Sequence, residues 1–352
     1  MERKIEVGIL GATGMVGQQF MLQLDGHPWF DVTWLGASQR SEGRRYADAA
    51  PWRLATPMPA MVRDLMVEAA EPGRGSGAPR LVFSALDSSV AGDIEAAFAA
   101  AGHIVVSNAK NYRMDPVVPL LIPEINPEHL ALLSAQSAAR GWTGRIVTNP
   151  NCSTVVLSMV LAPLRRFGLR RVMVTTLQAV SGAGYPGVAS LDILGNVIPF
   201  IDGEEEKMES EARKILGVAH DGVVEPHDVV VSAQTTRVPV ANGHTELVSI
   251  GFDVRPPEDE LREALASFTG VPQQLGLPSA PGQPIVYLPE RNRPQPALDV
   301  QRGAGMTVSV GRLRRCPLFD YKLVALGHNT VRGAAGAAVL NAELMRAEGL
   351  LA

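Results

Sequence analysis

Cys152 is the first candidate for chemistry, since few side chain types can act as nucleophiles and this chain has only two cysteines. It follows the turn "NPN" at 149–151 and opens the run "STVVLSMVL", which predicts a helix with Ser153 or Thr154 near its N-cap. A thiol at a helix N-terminus is biased toward thiolate, the nucleophilic form. The position also suits a buried cysteine that packs as a small apolar side chain. Local sequence leaves both interpretations open.

Other residue types that could support a nucleophile occur later in the chain. His244 lies in "NGHTELVSIGF", at a turn that leads into a strand, and a histidine of near-neutral pKa suits proton transfer. Arg237 in "TTRVPV" offers a planar fork for a carboxylate. Glu204 and Lys207 are three residues apart and share one face of a predicted helix. Taken singly, each also fits an ordinary surface or structural role.

A glycine-rich loop near the N-terminus predicts a dinucleotide site. "GATGMVG" supplies Gly11, Gly14 and Gly17 between the β-prone "KIEVGIL" and the helical pattern "MVGQQFMLQL". Glycine permits a tight turn and a close approach to pyrophosphate, whose charge meets N–H groups at the helix N-terminus. A glycine pattern alone is a weak signal, but strand before and helix after are the context that it requires.

The segment "LGASQRSEGRR" indicates which dinucleotide is preferred. An NAD-specific protein has a carboxylate about 20 residues beyond the glycines. Here Ser38, Arg40, Ser41 and Arg44 offer hydroxyl and guanidinium groups for a 2′-phosphate, so NADP is predicted. Glu42 lies among them, the segment could also be a solvated basic loop, and NAD remains possible.

The remaining patterns predict an α/β chain of two domains. Further strands in "DVTWLGAS", "PRLVFSAL", "HIVVSN" and "RIVTNP" alternate with a helix in "AGDIEAAFAAAG", which is typical of a Rossmann-type, doubly wound parallel sheet. Longer strands of period two, "RRVMVTTLQAVSG" and "TELVSIGFDVRP", predict a second, α+β domain with an extended mixed sheet. We expect a dinucleotide domain at 1–150, completed by a C-terminal helix at 330–352, and a catalytic and oligomerisation domain at 151–329.

The amino-acid composition limits the classes of molecule that this chain is expected to bind. The 352 residues are 46% hydrophobic and 19% charged, with a net charge of −4, and lack a long apolar window or a block of basic residues. We therefore expect small-molecule partners, neither nucleic acid nor membrane, and no metal. Two cysteines cannot form a disulfide framework, and the N-terminus lacks a signal-peptide pattern, so we expect a cytoplasmic protein.

Several segments together resemble the aspartate-semialdehyde dehydrogenase family, in the branch found in archaea and fungi. They are "GATGMVG", "SNAKNYRM", "NPNCST", "LQAVSGAGYPGV", "GEEEKMESE", "RVPVANGH" and "NTVRGAAGAA", in family order over nearly the whole chain. The resemblance implies that Cys152 attacks the acyl carbonyl of L-4-aspartyl phosphate to give a thioester and free phosphate. Hydride from NADPH then gives a thiohemiacetal that collapses to the aldehyde. This step belongs to lysine, threonine and methionine biosynthesis.

The same resemblance assigns roles to other residues. Asn151 supports the nucleophile and the oxyanion, Gln178 orients the acyl-enzyme, and His244 moves protons. Arg237 holds the α-carboxylate and Glu204, or one of its two neighbouring glutamates, meets the ammonium group. Arg113 and Lys207 form the phosphate site. The expected cofactor contacts are Gly11, Thr13, Gly14, Met15, Val16, Ser38, Arg40, Ser41, Ser181, Gly182 and Asn329.

Alternative functions keep parts of this pattern. An archaeal malonyl-CoA reductase of the same branch would use an acyl thioester in place of the acyl phosphate. N-acetyl-glutamyl-phosphate reductase and glyceraldehyde-3-phosphate dehydrogenase share the chemistry, but their motifs fit less well. A catalytically silent NADP-binding regulatory protein would keep the fold alone. Family members form homodimers or homotetramers, and the sequence does not decide between them.

Overall fold

The computed structural model describes residues 3–73 and 77–351 and contains two six-stranded sheets. The predicted domain ranges also include residues 1, 2, 74–76 and 352, which lie outside the described residues. The described strands are β1 Ile5–Leu10, β2 Phe30–Ala37, β3 Val67–Ala69, β4 Leu81–Ser84, β5 Ile104–Ser107, β6 Arg145–Thr148, β7 Leu169–Gln178, β8 Val218–His220, β9 Val223–Glu225, β10 Val230–Arg237, β11 His244–Phe252, β12 Ile285–Leu288, β13 Val308–Arg315 and β14 Tyr321–Gly327.

Helices connect these strands and cover the sheets. The described α-helices are α1 Met15–Leu24, α2 Tyr46–Ala49, α3 Ala60–Arg63, α4 Ser88–Ala100, α5 Leu132–Arg140, α6 Cys152–Leu164, α7 Ser190–Ile193, α8 Glu204–Ile215, α9 Glu258–Ala266, α10 Val271–Leu275, α11 Pro296–Asp299 and α12 Gly336–Ala347. A π-helical turn, Val331–Ala335, leads directly into α12. None of the helices in the described ranges has the length and apolar character needed to span a membrane.

The first sheet is parallel throughout, in the order β3-β2-β1-β4-β5-β6. The order reverses between β1 and β4, and in such sheets ligands bind outside the carboxyl ends of the strands at that point. The strands β4 and β5 are buried on both faces, which explains their continuous apolar runs. The helix α12 packs against α1 and β5 within the same apolar core.

The second sheet is mixed, in the order β10-β7-β11-β14-β13-β12. Its two outer pairs, β10 with β7 and β12 with β13, are parallel, and its inner pairs are antiparallel. Helices α6, α8 and α9 cover one face and bury a second apolar core. Both parts of the predicted fold class, the doubly wound parallel sheet and the α+β unit with an extended mixed sheet, are confirmed.

Candidate active site

A cleft of about 640 Å³ opens where the carboxyl ends of the first sheet face the second unit. Residues that follow four strands line its floor: Gly11 after β1, Ser38 after β2, Asp87 after β4 and Asn108 after β5. Cys152, at the start of α6 and just beyond β6, lies at one end. The topology thus brings the glycine loop and the candidate nucleophile into one cavity, as expected for the switch point of a parallel sheet.

The glycine loop has the geometry of a phosphate cradle. Gly11 has a φ of +73°, and a Cβ added there would lie 2.6 Å from the carbonyl oxygen of Ala85, so a larger residue would not fit. Gly14 is the N-cap of α1 and provides no side-chain cap, which leaves N–H groups of the first turn for an anion. Thr13, Met15 and Val16 line the same part of the cleft. These features fit a dinucleotide.

Of the three predicted cofactor residues in the segment after β2, one lines the cleft and two do not. Ser38 lines the cleft. Arg40 is exposed and Ser41 is buried, and both lie outside the lining, on a turn in which the N–H of Ser41 donates to the carbonyl of Ser38 over 2.8 Å.

The helix that carries the nucleophile begins at Cys152 and is capped by Asn151. Oδ1 of Asn151 accepts the N–H groups of Ser153 at 2.9 Å and Thr154 at 3.1 Å. Ser153 and Thr154 lie near the N-cap, as predicted, but the cap itself is Asn151, two and three residues before them, which accepts both N–H groups. Nδ2 of Asn151 donates to Glu204 over 2.8 Å, so in this state the side chain is engaged within the protein at both ends.

Cys152 and His244 are in direct contact, with 3.3 Å between Sγ and Nε2. The backbone N–H of Ala179 donates to Nδ1 of His244 over 3.1 Å. Because a backbone N–H can only donate, Nδ1 must be the acceptor, and the neutral ring carries its proton on Nε2. Nε2 therefore donates to Sγ, and His244 can stabilise negative charge on the sulfur.

Burial sets the protonation of this pair in the free protein. Burial and, to a smaller extent, the charge of Glu204 raise the pKa of the Cys152 thiol to about 12, against the lowering effect of Arg113 and Arg237. Burial also lowers the pKa of His244 to about 3, and Arg237 adds to that effect. The expectations of a lowered thiol pKa and a near-neutral histidine are therefore wrong for this state. Desolvation outweighs the helix N-terminus, whose first N–H groups Asn151 already binds.

Glu204 is the centre of a buried polar network. Its Oε1 accepts from Asn151 and, over 3.0 Å, from Nε2 of Gln178, and its Oε2 accepts from Lys207 over 3.1 Å. Burial alone would raise the pKa of Glu204, but these partners together lower it below its ordinary value. The neighbouring Glu205 faces β10 and accepts the N–H of Thr235. Among the three consecutive glutamates, Glu204 is therefore the one bonded to the residue preceding the nucleophile.

Two buried arginines flank the nucleophile. Arg113 lines the cleft, and its guanidinium donates to Glu211 over 3.0 Å and to the carbonyl of Asn108 over 2.7 Å. Arg237 ends β10 and donates to the carbonyl of Ala179 over 2.8 Å. Lys207 lies outside the cleft lining and contacts Glu204, so the two predicted phosphate ligands bind different carboxylates in this state.

The remaining predicted cofactor residues line the cleft close to the catalytic pair. Nδ2 of Asn329 donates to Oγ of Ser181 over 2.8 Å, and its Oδ1 accepts the N–H of Gly243 over 2.9 Å. A Cβ added to Gly182 would lie 2.8 Å from Arg237 and 3.0 Å from His244. Gly182 therefore separates the cofactor end of the cleft from the catalytic pair by the smallest possible residue.

Several lining residues escaped the sequence interpretation. Asp87 and Asn108 follow strands that the sequence did predict, and the rule of strand carboxyl ends could have found them. Gly333, in the quoted "GAAGAA" segment, lies against Cys152: an added Cβ would be 2.6 Å from the cysteine Cβ. Arg53 stacks over the ring of Tyr185 at 3.8 Å across the cleft, a contact with no local sequence signal.

Known proteins resemble the whole chain. The family model "Semialdehyde dehydrogenase, NAD binding domain" matches residues 6–133, and "Semialdehyde dehydrogenase, dimerisation domain" matches residues 161–332. An aspartate-semialdehyde dehydrogenase of Methanothermobacter thermautotrophicus is 52% identical over 97% of this chain and 99% of the relative. That of Schizosaccharomyces pombe is 48% identical over 98% and 99%.

Solved structures agree in fold. Aspartate semialdehyde dehydrogenase with NADP from Candida albicans superposes with a TM-score of 0.90 at 44% identity, covering 99% of this chain and 100% of that one. Aspartate semialdehyde dehydrogenase II of Vibrio cholerae, complexed with ASA, gives 0.78 at 26% identity, with 99% of each chain covered. With both family models matched and relatives about half identical over their full length, this chain belongs to the aspartate-semialdehyde dehydrogenase family.

Proposed function

We propose that this chain reduces L-4-aspartyl phosphate to L-aspartate 4-semialdehyde and phosphate, with NADPH, through a thioester on Cys152. The contact of 3.3 Å between Cys152 and His244, at the end of a dinucleotide-shaped cleft, is the observation that carries the proposal. The names of close archaeal and fungal relatives support the substrate. The buried charges around the pair fit its phosphate, ammonium and carboxylate groups.

In the acylation step, Cys152 first releases its thiol proton to solvent in the cleft, and its Sγ, as thiolate, then bonds to the carbonyl carbon. The bond from that carbon to the phosphate oxygen breaks, and phosphate leaves with the bonding pair. The donor Nε2–H of His244 points at the sulfur and stabilises the charge that it carries before attack. Gln178 and Asn151, both bonded to Glu204 in the free protein, fix the polar side of the acyl group.

Bound NADPH supplies the hydride that converts the thioester carbonyl to a tetrahedral oxyanion. The oxyanion then collapses: its electron pair reforms the carbonyl, the carbon–sulfur bond breaks, and Cys152 regains its thiolate. Since neutral His244 carries its proton on Nε2, it contributes a hydrogen bond to the charge that moves between oxygen and sulfur. Ser181, Gly182 and Asn329 form the pocket wall next to this centre.

Each charged group of the substrate is bound by a different charged residue or pair of residues. Arg237 binds the α-carboxylate, Glu204 the ammonium group, and Arg113 with Lys207 the phosphate. Burial of Arg113, Arg237 and Glu204 supports these roles, since a charge removed from water is stabilised chiefly by an opposite charge. NADP is the cofactor, held by the glycine loop and by Ser38, Arg40 and Ser41. The NADP domain is 1–150 with 330–352, and the catalytic domain is 151–329.

A homo-oligomer completes the proposal, as a dimer or a tetramer. The face of the second sheet opposite its helices exposes Met173 and Leu247, which lie on adjacent paired strands. The segment around α7 exposes Leu191, Leu194 and Phe200. An apolar surface of this kind is typical of a protein interface, and the matched model is named a dimerisation domain. The small number of cysteines supports a cytoplasmic location.

The test uses the reverse reaction. Purified protein is mixed with L-aspartate 4-semialdehyde, phosphate and NADP+, and NADPH absorbance is followed with phosphate omitted as the control. Phosphate-dependent NADPH formation, lost in Cys152→Ala, is the expected result. A parallel reaction with malonyl-CoA and NADPH tests the alternative substrate. Turnover with malonyl-CoA alone would show that the proposed substrate is wrong. No turnover in either reaction, in a protein that binds NADP, would indicate a regulatory protein.

A further inference from the structure

The inner face of α8 carries four charged residues at a spacing of three, four and three. They are Glu204, Lys207, Glu211 and Lys214, and this spacing aligns them along one side of the helix. The first two have roles in the proposed reaction. Glu211 and Lys214 have none, although both side chains are almost fully buried beside the active site. Burying a charge is costly unless it is paired, so their partners indicate what they do.

Glu211 bridges the two halves of the proposed reaction site. Its Oε1 accepts from the guanidinium of Arg113 over 3.0 Å, and its Oε2 accepts the backbone N–H of Asn151 over 2.6 Å. Arg113 lines the cleft as a proposed phosphate ligand, and Asn151 immediately precedes the nucleophile. A single carboxylate therefore joins an anion-binding side chain to the N-cap of the nucleophile helix.

Lys214 holds the backbone on which Arg113 is mounted. Its Nζ donates to three carbonyl oxygens, those of Arg113 at 2.8 Å, Asp115 at 2.7 Å and Val118 at 2.9 Å. All three ammonium hydrogens are thereby used within one short segment. Glu211 sets the side chain of Arg113 and Lys214 sets its main chain, both from the same helix.

We propose that Glu211 is a positioning residue, which places the phosphate bound by Arg113 so that the acyl carbon meets Sγ of Cys152, and that Lys214 supports it. This inference rests on the proposed function. The carboxylate also neutralises part of the Arg113 charge, so it weakens the attraction for phosphate rather than strengthening it. Its contribution is therefore to geometry, and a geometric error of about 1 Å can cost about a hundredfold in rate.

The test separates rate from phosphate affinity. In Glu211→Gln, one of the two contacts is lost, because an amide cannot accept on both sides. We expect kcat to fall at least about tenfold while the KM for phosphate rises no more than about threefold. The control is Glu209→Gln, on the same helix, whose carboxylate accepts the N–H of Ala233 away from the cleft. Glu211→Asp, which keeps the charge on a shorter arm, should recover part of the lost kcat.

Other outcomes overturn the inference. A kcat equal to that of Glu209→Gln would do so, as would a large rise in the KM for phosphate with kcat intact. If Glu211→Gln does not fold, Glu211→Asp takes its place, and an unchanged kcat in that variant counts against the inference. NADP binding and thermal unfolding, measured for every variant, identify losses that come from general destabilisation.

A second readout needs no turnover. Inorganic phosphate should slow alkylation of Cys152 in the parent protein and in Glu209→Gln. In Glu211→Gln, the maximal slowing should fall at least about threefold without a rise in the half-protecting concentration. Equal protection in the two variants, or no protection of the parent protein, overturns the inference. A parent protein that shows this protection but no activity contradicts the proposed function alone.

Discussion

Replacing Gly333 by alanine should disturb the nucleophile directly. The added Cβ would lie 2.6 Å from Cβ and 2.9 Å from Cα of Cys152, whereas ordinary contact begins at 3.4 Å, so the two segments must separate by about 0.8 Å. The chain segment that contains Gly333 cannot move away easily. Arg332, the preceding residue, makes a fully buried two-point ion pair with Glu124 at 2.7 and 2.8 Å.

The displacement is therefore shared with the start of α6 or transferred to it. Overpacking of this size costs about 1–3 kcal/mol of unfolding free energy, which lowers Tm by several degrees at about 2–4 °C per kcal/mol. A misplacement near 1 Å at the reacting atom can reduce the rate by about a hundredfold. We expect Gly333→Ala to lose at least about tenfold in kcat while it still binds NADP+.

The assay is phosphate-dependent NADPH formation, measured with Tm and with the alkylation rate of Cys152. Gly282→Ala is the matched control, since a Cβ there meets no described heavy atom within 4 Å and φ lies outside the left-handed region. If Gly333→Ala matches Gly282→Ala in kcat, alkylation and Tm, then the close approach of the C-terminal segment does not constrain the nucleophile, and the reasoning is refuted.

Three further predictions concern protonation and cofactor choice. Because burial raises the pKa of Cys152 to about 12, alkylation by iodoacetamide should accelerate about tenfold per pH unit from about pH 7 to about pH 9; a plateau in that range would contradict this. Burial lowers the pKa of His129 from 6.5 to about 4. Between these two pH values the unfolded chain binds a proton that the buried histidine does not, so the free energy of unfolding falls as the pH falls from 6.5 to about 4. The free energy of unfolding should fall by about 3 kcal/mol over this range, and urea unfolding should show a smaller fall in His129→Gln. Arg40→Ser should raise the KM for NADP+ about tenfold and leave that for NAD+ unchanged, and equal changes in both would exclude a 2′-phosphate contact.

Much of the first unit could be predicted from local patterns. Alternating strands and helices around a glycine loop identify a parallel doubly wound sheet, because each pattern has a single geometric solution. The edge strand β3, with three residues, and the short hairpin of β8 and β9 were not predicted. Strands this short contain too few residues to display a period.

The site was only partly accessible from the sequence. The residue types and their family order indicated the chemistry, but contacts such as those of Glu211 join segments far apart in the chain and have no local signature. The protonation of Cys152 shows the same limit. A rule for helix N-termini predicts a low pKa, whereas burial, to which the distant Gly333 contributes, raises it.

The backbone N–H and carbonyl groups of Ala179 limit how the specificity of this site can be altered. Its N–H fixes the tautomer of His244 and its carbonyl orients Arg237, so main-chain atoms join charge stabilisation at sulfur to recognition of the substrate carboxylate. Every substitution at position 179 except proline, which has no backbone N–H, leaves the groups that make both bonds in place. Attempts to broaden substrate choice by replacing Arg237 will therefore also release the carbonyl beside His244, and changes of specificity in this scaffold should arrive together with changes in the pH dependence of the rate.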